Sequence, residues 1–367
     1  MAERNMPFKL VRSCLAAASF GVSAMLYSHP AAAGSSGFAC PEFPTPTVSL
    51  EFGSRYKADS KSRSDKDVAS DAEVTAALKP SDDFVRMLTE VSNTALEKPE
   101  LAQAASDCVV SAVGDWANAD AFSDMRTVTA KISYPARVAG IAVAHHQVRP
   151  LFAGPEEDRA LIETWMRVRA DEIIAFWEGD APTLAKKANL RAWAALAIAQ
   201  IGLILDEPRY LEWGLLSQRI ILDTQDPDGS LPLEMRRGKY GLHYQLHALA
   251  PMSVTTALLF HAGYRNSEHY EALLEQAVHF SLEAIENPEI VEQINGKKQT
   301  IKPGLHAQKN FNIAWLEPYL NFNFEPELDK RLGEFRPLKN SKLGGDLTLQ
   351  FRENPDWPVG CRARDNS

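Results

Sequence analysis

Helical periodicity dominates the sequence from about residue 80 onward. Ser81-Asp-Asp-Phe-Val-Arg-Met-Leu-Thr-Glu-Val91 begins with a capping residue and an acidic first turn, then places apolar residues three and four apart. Prolines fall between such segments or in a first turn, where a proline ends or starts a helix. The predicted helices are roughly 82–97, 99–118, 122–133, 135–147, 155–179, 184–204, 207–225, 247–263, 266–287 and 309–323.

Strand-like alternation is scarce and confined to the ends of the chain. Helices of this length with short joins between them favour stacked helical hairpins. We therefore predict an all-α fold in which a ring of hairpins forms an α/α toroid, with a central groove lined by helix ends. A plain helical bundle is the alternative.

The composition is that of a globular protein, with 45% hydrophobic and 24% charged residues among 367. The formal net charge of -9 argues against general nucleic-acid binding, which needs a basic footprint. A locally basic cleft for an anionic ligand is compatible with this charge, because steering depends on the local field.

The N-terminus is typical of a secretory signal peptide over residues 1–33. Lys9 and Arg12 form a basic flank, an apolar core follows, and Pro30-Ala-Ala-Ala33 supplies a small-residue cleavage site. A membrane anchor is the alternative, but the apolar run is short for a span and no second long apolar stretch follows. We expect a periplasmic or secreted protein without a membrane partner once the signal is removed.

The segments after the signal are polar. Residues 34–50 are rich in Gly, Ser and Pro, and we expect an extended lead-in to a single domain over residues 51–367. Residues 55–71 are almost wholly polar and predict a loop, which is either a disordered surface segment or a mobile lid over an anionic ligand. The lid side chains available to such a ligand are Arg55, Tyr56, Lys57, Lys61 and Arg63.

Three cysteines remain after signal removal: Cys40, Cys108 and Cys361. Export places them in an oxidising compartment, so one disulfide and one free thiol are expected. We predict the pair Cys40–Cys108, because it would tie the extended segment to a helix. No cysteine pair has the spacing of a metal site.

The stretch Leu231 to Leu249 concentrates cations and phenols just ahead of an apolar helix. Arg237 and Tyr244 are seven residues apart, which places them on the same face if the segment is helical. A guanidinium beside a phenol favours the phenolate and can also hold a substrate carboxylate. The polar side chains of this stretch include Arg236, Arg237, Lys239, Tyr240, His243, Tyr244 and His247.

Several short motifs, in order and at consistent spacing, together resemble the alginate lyase family of periplasmic polyuronate lyases. The similarity runs from about Phe52 to Thr348 and implies an all-helical α/α toroid. The matching motifs are the lid segment 52–64, Asp107-Cys108 with Asp115-Trp-Ala117, Leu231-Pro-x-Glu-x-x-Arg237, Leu242-x-Tyr244, Ala314-Trp-Leu-Glu-Pro-Tyr319 and Leu343-Gly-Gly345.

The resemblance implies a catalytic group of Asn189, Arg237 and Tyr244, with Trp193 beside it. The family's histidine falls on Leu190, which can neither take a proton nor donate a hydrogen bond. His243, which we include among the catalytic residues, and His247 are candidates to supply the imidazole from another position. For His247 an ordinary helix histidine is favoured, and His145-His146 is read as core. Predicted substrate-binding residues are Trp193, Arg191, Arg55, Tyr56, Arg63, Lys239 and Tyr240.

The resemblance implies β-elimination at a 4-linked uronate, most simply mannuronate-rich alginate. The site must neutralise the carboxylate, remove the proton at C5 and protonate the oxygen at C4. One tyrosine can do both transfers where the two atoms share a ring face, provided that Arg237 favours its phenolate. We expect no metal or cofactor, because Arg and Asn can neutralise the carboxylate.

Three alternatives are retained. The first alternative is a glucuronan lyase of the same fold, and the second is a catalytically silent protein that binds a uronate polysaccharide. A glycoside hydrolase ranks last, because that chemistry needs two opposed carboxylates and Glu234 is the only acidic residue in the proposed stretch.

Overall fold

A computed structural model describes residues 37–353, which belong to one compact unit. The secondary structure of these residues is almost entirely helical, as the periodicity predicts. Their fourteen α-helices are α1 (Val68–Glu97), α2 (Ala102–Asn118), α3 (Val128–Ser133), α4 (Pro135–Val148), α5 (Glu156–Glu178), α6 (Asn189–Leu205), α7 (Pro208–Leu222), α8 (Pro232–Met235), α9 (Gly241–His261), α10 (Glu268–Glu286), α11 (Glu289–Asn295), α12 (Asn310–Ile313), α13 (Leu316–Phe322) and α14 (Pro326–Leu332).

Short elements join these helices. Strand β1 (Ser49–Leu50) pairs in parallel with β2 (Asp124–Met125), and β3 (Lys339–Asn340) pairs antiparallel with β4 (Gly345–Asp346). A π-helical turn covers Leu349–Glu353. Single 3₁₀ turns lie at Pro99–Leu101, Arg149–Leu151, Ala185–Lys187, Gly238–Tyr240, Leu305–Ala307, Gly333–Phe335 and Ser341–Leu343.

The long helices form two layers. In the inner layer α1, α4, α6, α9 and α13 each pack against the next, and residues 349–353 contact both α13 and α1. Helices α2, α5, α7 and α10 pack on the outside. Every residue of α4 is buried, including its polar residues Arg137, His145, His146 and Gln147, because protein surrounds this helix on all sides. This is the predicted α/α toroid rather than a plain bundle.

Helix α1 begins fourteen residues earlier than the sequence predicts. The Asp67 side chain accepts a hydrogen bond from the Ser70 amide at 2.9 Å, and this cap starts the helix. Pro80 is inside the helix, and the Ser81 hydroxyl donates to the Leu78 carbonyl instead of capping a new helix. The predicted lid loop therefore ends at Asp67 and not at residue 71.

Three further boundaries differ from the prediction. Helix α9 begins at Gly241 rather than at residue 247, so Tyr244 and His247 share one helix. Its first turns carry polar and aromatic side chains, which hide the apolar period there. Helix α6 begins at Asn189 rather than at residue 184, and the predicted helix 309–323 is divided into α12 and α13.

Cys40 and Cys108 form a disulfide, as expected, with their Cα atoms 5.7 Å apart. It attaches the lead-in segment, which has neither helix nor strand from residue 38 to residue 48, to α2. Cys361 and the predicted signal peptide lie outside the described residues. Within residues 37–353, no helix combines the length and apolar character needed to cross a membrane.

Candidate active site

A cavity of about 290 Å³ lies at the end of the inner helices, beneath the lid. Within residues 37–353 its lining contains no carboxylate, although the whole chain is acidic. An anionic ligand would be favoured there, because the local field is positive. The cations that line it are Arg55, Arg63, Arg137, Arg237 and Lys342.

A second cavity, of about 610 Å³, adjoins the first. The two share Trp193, His247 and Lys342 in their linings. Phe311, which is 48% exposed, adds an aromatic face to the second cavity. Together the two adjoining cavities form one groove, which has room for a chain-like ligand.

The lid is fastened to the residues just before α9. Arg237 Nε donates to the Ser62 carbonyl at 3.2 Å, and its Nη2 donates to the Arg63 carbonyl at 3.0 Å. The Lys239 ammonium pairs with Asp65 of the lid at 3.3 Å. Lid residues 55–67 therefore cover the cavity through contacts that involve Arg237 itself.

Tyr244 is in contact with Arg237 and with the lid. The Arg237 guanidinium lies 3.7 Å from the centre of the Tyr244 ring and 5.2 Å from that of Tyr56. The Tyr56 and Tyr244 hydroxyls are hydrogen-bonded to each other. Arg237 lies in the turn before α9, so the two residues do not share a helix face, and the condition of a continuous helix is not met, although their side chains are in contact.

The Tyr244 hydroxyl is a weak acid in this setting. Burial raises its pKa, and the neighbouring Tyr56 adds to that rise. Arg237 lowers the pKa, in the predicted direction, but by less than burial raises it. The expectation that Arg237 makes the phenolate the favoured form is therefore wrong for the free protein with its lid closed.

Asn189 is held by a buried carboxylate that the sequence did not assign to the site. Glu234, 1% exposed, accepts hydrogen bonds from the Asn189 backbone amide at 2.7 Å and from its side-chain amide at 2.6 Å. The carboxylate thus satisfies the N-terminus of α6, where negative charge is favourable. Burial raises the pKa of Glu234 to about 7.

His247 completes a chain of contacts from Glu234. Its Nδ1 atom lies 3.1 Å from Asn189 Oδ1. Trp193 Nε1 lies 3.0 Å from the same nitrogen and 3.2 Å from the His247 carbonyl oxygen. Burial lowers the pKa of His247 well below its usual value, and nearby positive groups lower it further.

Two other positions define the wall near Tyr244. Leu190 lines the cavity, so the position of the family histidine is an apolar surface. The His243 ring lies 5.3 Å from that of Tyr244, and it makes no hydrogen bond within residues 37–353. Burial lowers the pKa of His243. Of the two candidate imidazoles, only His247 contacts Asn189.

The remaining lid predictions fall in the cavity wall. Arg55, Tyr56 and Arg63 all line it, and Arg55 also pairs with Asp71 at 3.2 Å. Trp193 lines the cavity although it is only 3% exposed, and its indole nitrogen lies 3.0 Å from His247 Nδ1. Substrate contact by these residues stays a prediction, and the structure places all of them in the lining of the same cavity.

Arg191 is not in the cleft, which corrects the sequence prediction. It follows Asn189 by two positions, which is about 200° around α6, so it points to nearly the opposite side of the helix. It is buried against the outer layer, donating to Ser217 at 3.0 Å and to Glu178 at 2.6 Å. Its guanidinium also lies 5.0 Å from the ring centre of Trp213.

Lys239 and Tyr240 also lie outside the linings of both cavities. Lys239 is occupied with Asp65 of the lid, and the Tyr240 ring packs 6.5 Å from Tyr244. Both contact the lid or the tyrosine rather than lining the cleft.

Lys342 and Arg137 are cleft residues that the sequence analysis missed. Lys342 Nζ lies 3.2 Å from Asp82, and Arg137 binds the two oxygens of the same carboxylate at 2.9 Å each. Burial lowers the pKa of Lys342 to about 8. The position of Lys342 directly before the Leu343-Gly-Gly345 motif was the available signal.

The adjacent His145 and His146 are core residues, as the sequence indicates. Both lie in the fully buried α4 and outside the linings of the two cavities. Burial lowers the pKa of His145 to about 3 and that of His146 to about 4, so both are neutral.

Comparison with known proteins agrees with this fold. The family model described as "Alginate lyase" matches residues 51–291. The chain is 27% identical to an alginate lyase of Pseudomonas fluorescens over 85% of this chain and 84% of that protein. It is also 27% identical to an alginate lyase of Azotobacter vinelandii over 88% of both.

Solved structures show the same fold. Alginate lyase A1-III from Sphingomonas species A1 superposes with a TM-score of 0.63 at 21% identity, covering 85% of this chain and 86% of that one. A variant of alginate lyase A1-III in complex with a tetrasaccharide gives a TM-score of 0.66 at 21% identity, covering 85% of each chain. From its sequence match and its fold, this chain belongs to the alginate lyase family.

Proposed function

We propose that this polysaccharide lyase cleaves a 4-linked polyuronate, with mannuronate-rich alginate as the favoured substrate. The observation that carries the proposal is the Tyr244 hydroxyl in a cavity lined by five cations and, within residues 37–353, by no carboxylate. Alginate is polyanionic, so its attraction to such a cleft follows from charge. The named relatives are alginate lyases, and one related structure holds a tetrasaccharide.

The chemistry follows from the substrate. A uronate carries its carboxylate on C5, and removal of the C5 proton places negative charge on that carboxylate. Asn189 and Lys342 line the cavity and can donate hydrogen bonds to it, which stabilises the developing charge. Electrons then form the C4–C5 double bond, the bond from C4 to its oxygen breaks, and that oxygen takes a proton.

Tyr244 is the proton donor to the leaving oxygen. Because burial raises its pKa, the phenol is protonated at neutral pH and is available as an acid. Arg237, stacked on its ring, stabilises the phenolate that forms as the proton leaves. The group that removes the C5 proton must be a stronger base than this phenol at neutral pH.

A glycoside hydrolase on this fold is disfavoured. That reaction needs an acid and a second carboxylate flanking the scissile bond. Within residues 37–353, the one buried acid near Tyr244 is Glu234, which is enclosed by protein and bonded to Asn189, so it does not face the ligand.

We also propose that the protein is exported to the periplasm. The residues preceding Gly34 have the pattern of a signal peptide, and the Cys40–Cys108 disulfide supports an oxidising compartment. Cell fractionation with protein detection tests this, and recovery of the uncleaved chain from the cytoplasm would contradict it.

The activity is tested by offering mannuronan, guluronan and glucuronan to the purified protein. The product carries a double bond conjugated to a carboxylate, so ultraviolet absorbance rises as cleavage proceeds. We expect the fastest rise with mannuronan. A fastest rise with glucuronan identifies a glucuronan lyase, and tight binding with no rise from any polymer identifies the silent binding protein.

A further inference from the structure

We infer that His247 is the base that removes the C5 proton, and that Tyr244 acts as the acid alone. The inference rests on the proposed function and assigns the step that a protonated Tyr244 cannot perform. His247 is not at the sequence position of the family histidine, which is Leu190 here. Asn189 directly precedes Leu190 on α6, and the His247 imidazole lies beside Asn189.

The tautomer of His247 follows from its partners. The Glu234 carboxylate accepts from both the backbone and side-chain amides of Asn189, which turns Asn189 Oδ1 towards His247. That oxygen can only accept, and the Trp193 indole N–H, 3.0 Å from Nδ1, can only donate. A proton on His247 Nδ1 satisfies both neighbours, because the indole has the His247 carbonyl oxygen as a second acceptor, whereas a bare Nδ1 would face the Asn189 oxygen lone pair to lone pair. The Trp193 indole N–H then donates to the His247 carbonyl oxygen at 3.2 Å.

The lone pair of His247 therefore resides on Nε2. This atom has no hydrogen-bond partner within residues 37–353, and it is not one of the buried unpaired polar atoms of that region. The ring lines both cavities of the groove. A basic nitrogen thus opens onto the place where the two cavities meet.

Burial lowers the pKa of His247, and the charged and titratable neighbours lower it further, which keeps the imidazole in its basic form. His243 and Tyr244 face it from α9, at ring distances of 6.3 and 6.0 Å. Lys342, Arg237 and Arg137 are the nearby cations that disfavour an imidazolium. A low pKa at His247 beside a high pKa at Tyr244 is the pattern that separates a base from an acid.

The reaction then balances without another reactant. His247 Nε2 forms a bond to the C5 hydrogen, and the C–H electrons move onto the carboxylate. These electrons return to form the C4–C5 double bond as the bond from C4 to oxygen breaks, and the Tyr244 proton moves to that oxygen. The imidazolium and the phenolate regain their starting states by proton exchange through solvent after the product leaves.

The distance between the His247 and Tyr244 rings is compatible with His247 as the base and Tyr244 as the acid. Each proton transfer needs a heavy-atom distance of about 2.6–3.2 Å. The His247 and Tyr244 rings, with centres 6.0 Å apart on one helix, leave room for the C4–C5 bond between the two groups.

Kinetics of two variants test the assignment. His247→Gln should lower kcat by about 100- to 10,000-fold, the usual contribution of a general base. The remaining activity should lose its dependence on a deprotonated group at acidic pH. The matched control is His306→Gln, an exposed histidine outside both cavities, which should keep the wild-type rate.

Added imidazole separates a base from a merely structural residue. His247→Ala opens space in the cleft wall, and we expect imidazole to restore activity in proportion to its neutral form. Full activity in His247→Gln, or a folded His247→Ala that imidazole does not improve, would overturn the assignment.

Nitrogen NMR of the wild-type protein gives an answer that does not depend on any variant. The His247 signals are assigned through their proximity to the Trp193 ring, and we expect a neutral imidazole protonated at Nδ1 at pH 7. Protonation at Nε2 would exclude the base and leave the proposed lyase activity intact. Absence of product from every polyuronate would instead remove the proposed function, and the base with it.

Discussion

The Glu234 carboxylate holds Asn189 by two hydrogen bonds, of 2.7 Å to its backbone amide and 2.6 Å to its side chain. One buried acid thereby fixes the first residue of α6 and the orientation of an amide in the cleft. Stability and the geometry of the site are linked at this point, because the same two bonds serve both.

The pH dependence of stability should report this carboxylate. Its pKa in the folded protein is about 7, above the unfolded value of about 4.3. The contribution of Glu234 is therefore complete below about pH 4.3 and is lost as the pH rises through about 7, a change on the order of 3 kcal/mol. Urea unfolding of the wild type and of Glu234→Gln from pH 4 to pH 8 measures this contribution. If the free energy of unfolding of the two proteins changed with pH in parallel, the assignment to Glu234 would be contradicted.

The hydrogen bond between Tyr56 and Tyr244 should matter for turnover. Tyr56→Phe keeps the lid side chain and removes its hydroxyl, so Tyr244 loses its partner. A hydrogen bond of ordinary strength predicts a fall in kcat/KM of about tenfold with mannuronan. Tyr240→Phe, whose ring also neighbours Tyr244 but whose residue lies outside both cavity linings, is the control. Equal effects of the two changes would argue against a specific role for the lid hydroxyl.

Lys342 should contribute to polymer binding. It lines both cavities, and Lys342→Met keeps the length of the side chain while removing its charge. We expect a higher KM and a weaker dependence of KM on ionic strength, because fewer charges then attract the polyanion. Lys98→Met, an exposed position outside both cavities, should leave these quantities unchanged. An unaltered salt dependence in Lys342→Met would show that this lysine does not meet the substrate.

The Cys40–Cys108 disulfide should stabilise the fold. The two cysteines are 68 residues apart, and closing a loop of that length contributes up to about 4 kcal/mol in the chain-entropy description. Cys40→Ser with Cys108→Ser should therefore unfold at a lower urea concentration than the wild type without losing catalytic rate when folded. An unchanged unfolding midpoint would indicate that the bond is not formed in the purified protein.

The helical class and the pairing of Arg237 with Tyr244 could be predicted from the sequence. Both depend on local signals, namely apolar period and the density of cations and phenols between residues 231 and 249. The start of α9 at Gly241 could not be predicted from the sequence, because the residues that face the cleft interrupt the apolar pattern. Ser81 misled the prediction for α1, because a serine followed by two acidic residues is typical of a helix start, whereas here it lies inside the helix.

The contacts around Asn189 depend on tertiary structure and could not be predicted from the sequence. Asn189 and His247 are 58 residues apart, and only the packing of α6 on α9 places them together. Arg191 was assigned to the cleft from its neighbour, although the helix turns it to the outer layer. Glu234 was visible in the sequence but without a partner, because its burial at the start of α6 has no local signature.

The most direct test of the proposed lyase is the absorbance of mannuronan digests by the wild type and by Tyr244→Phe. The phenylalanine keeps the ring against Arg237 and removes the hydroxyl that protonates the leaving oxygen. We expect a steady ultraviolet rise with the wild type and a rate at least about 100-fold lower with the variant, at unchanged polymer affinity. A variant that cleaves mannuronan at the wild-type rate would contradict the role of Tyr244 on which the account depends.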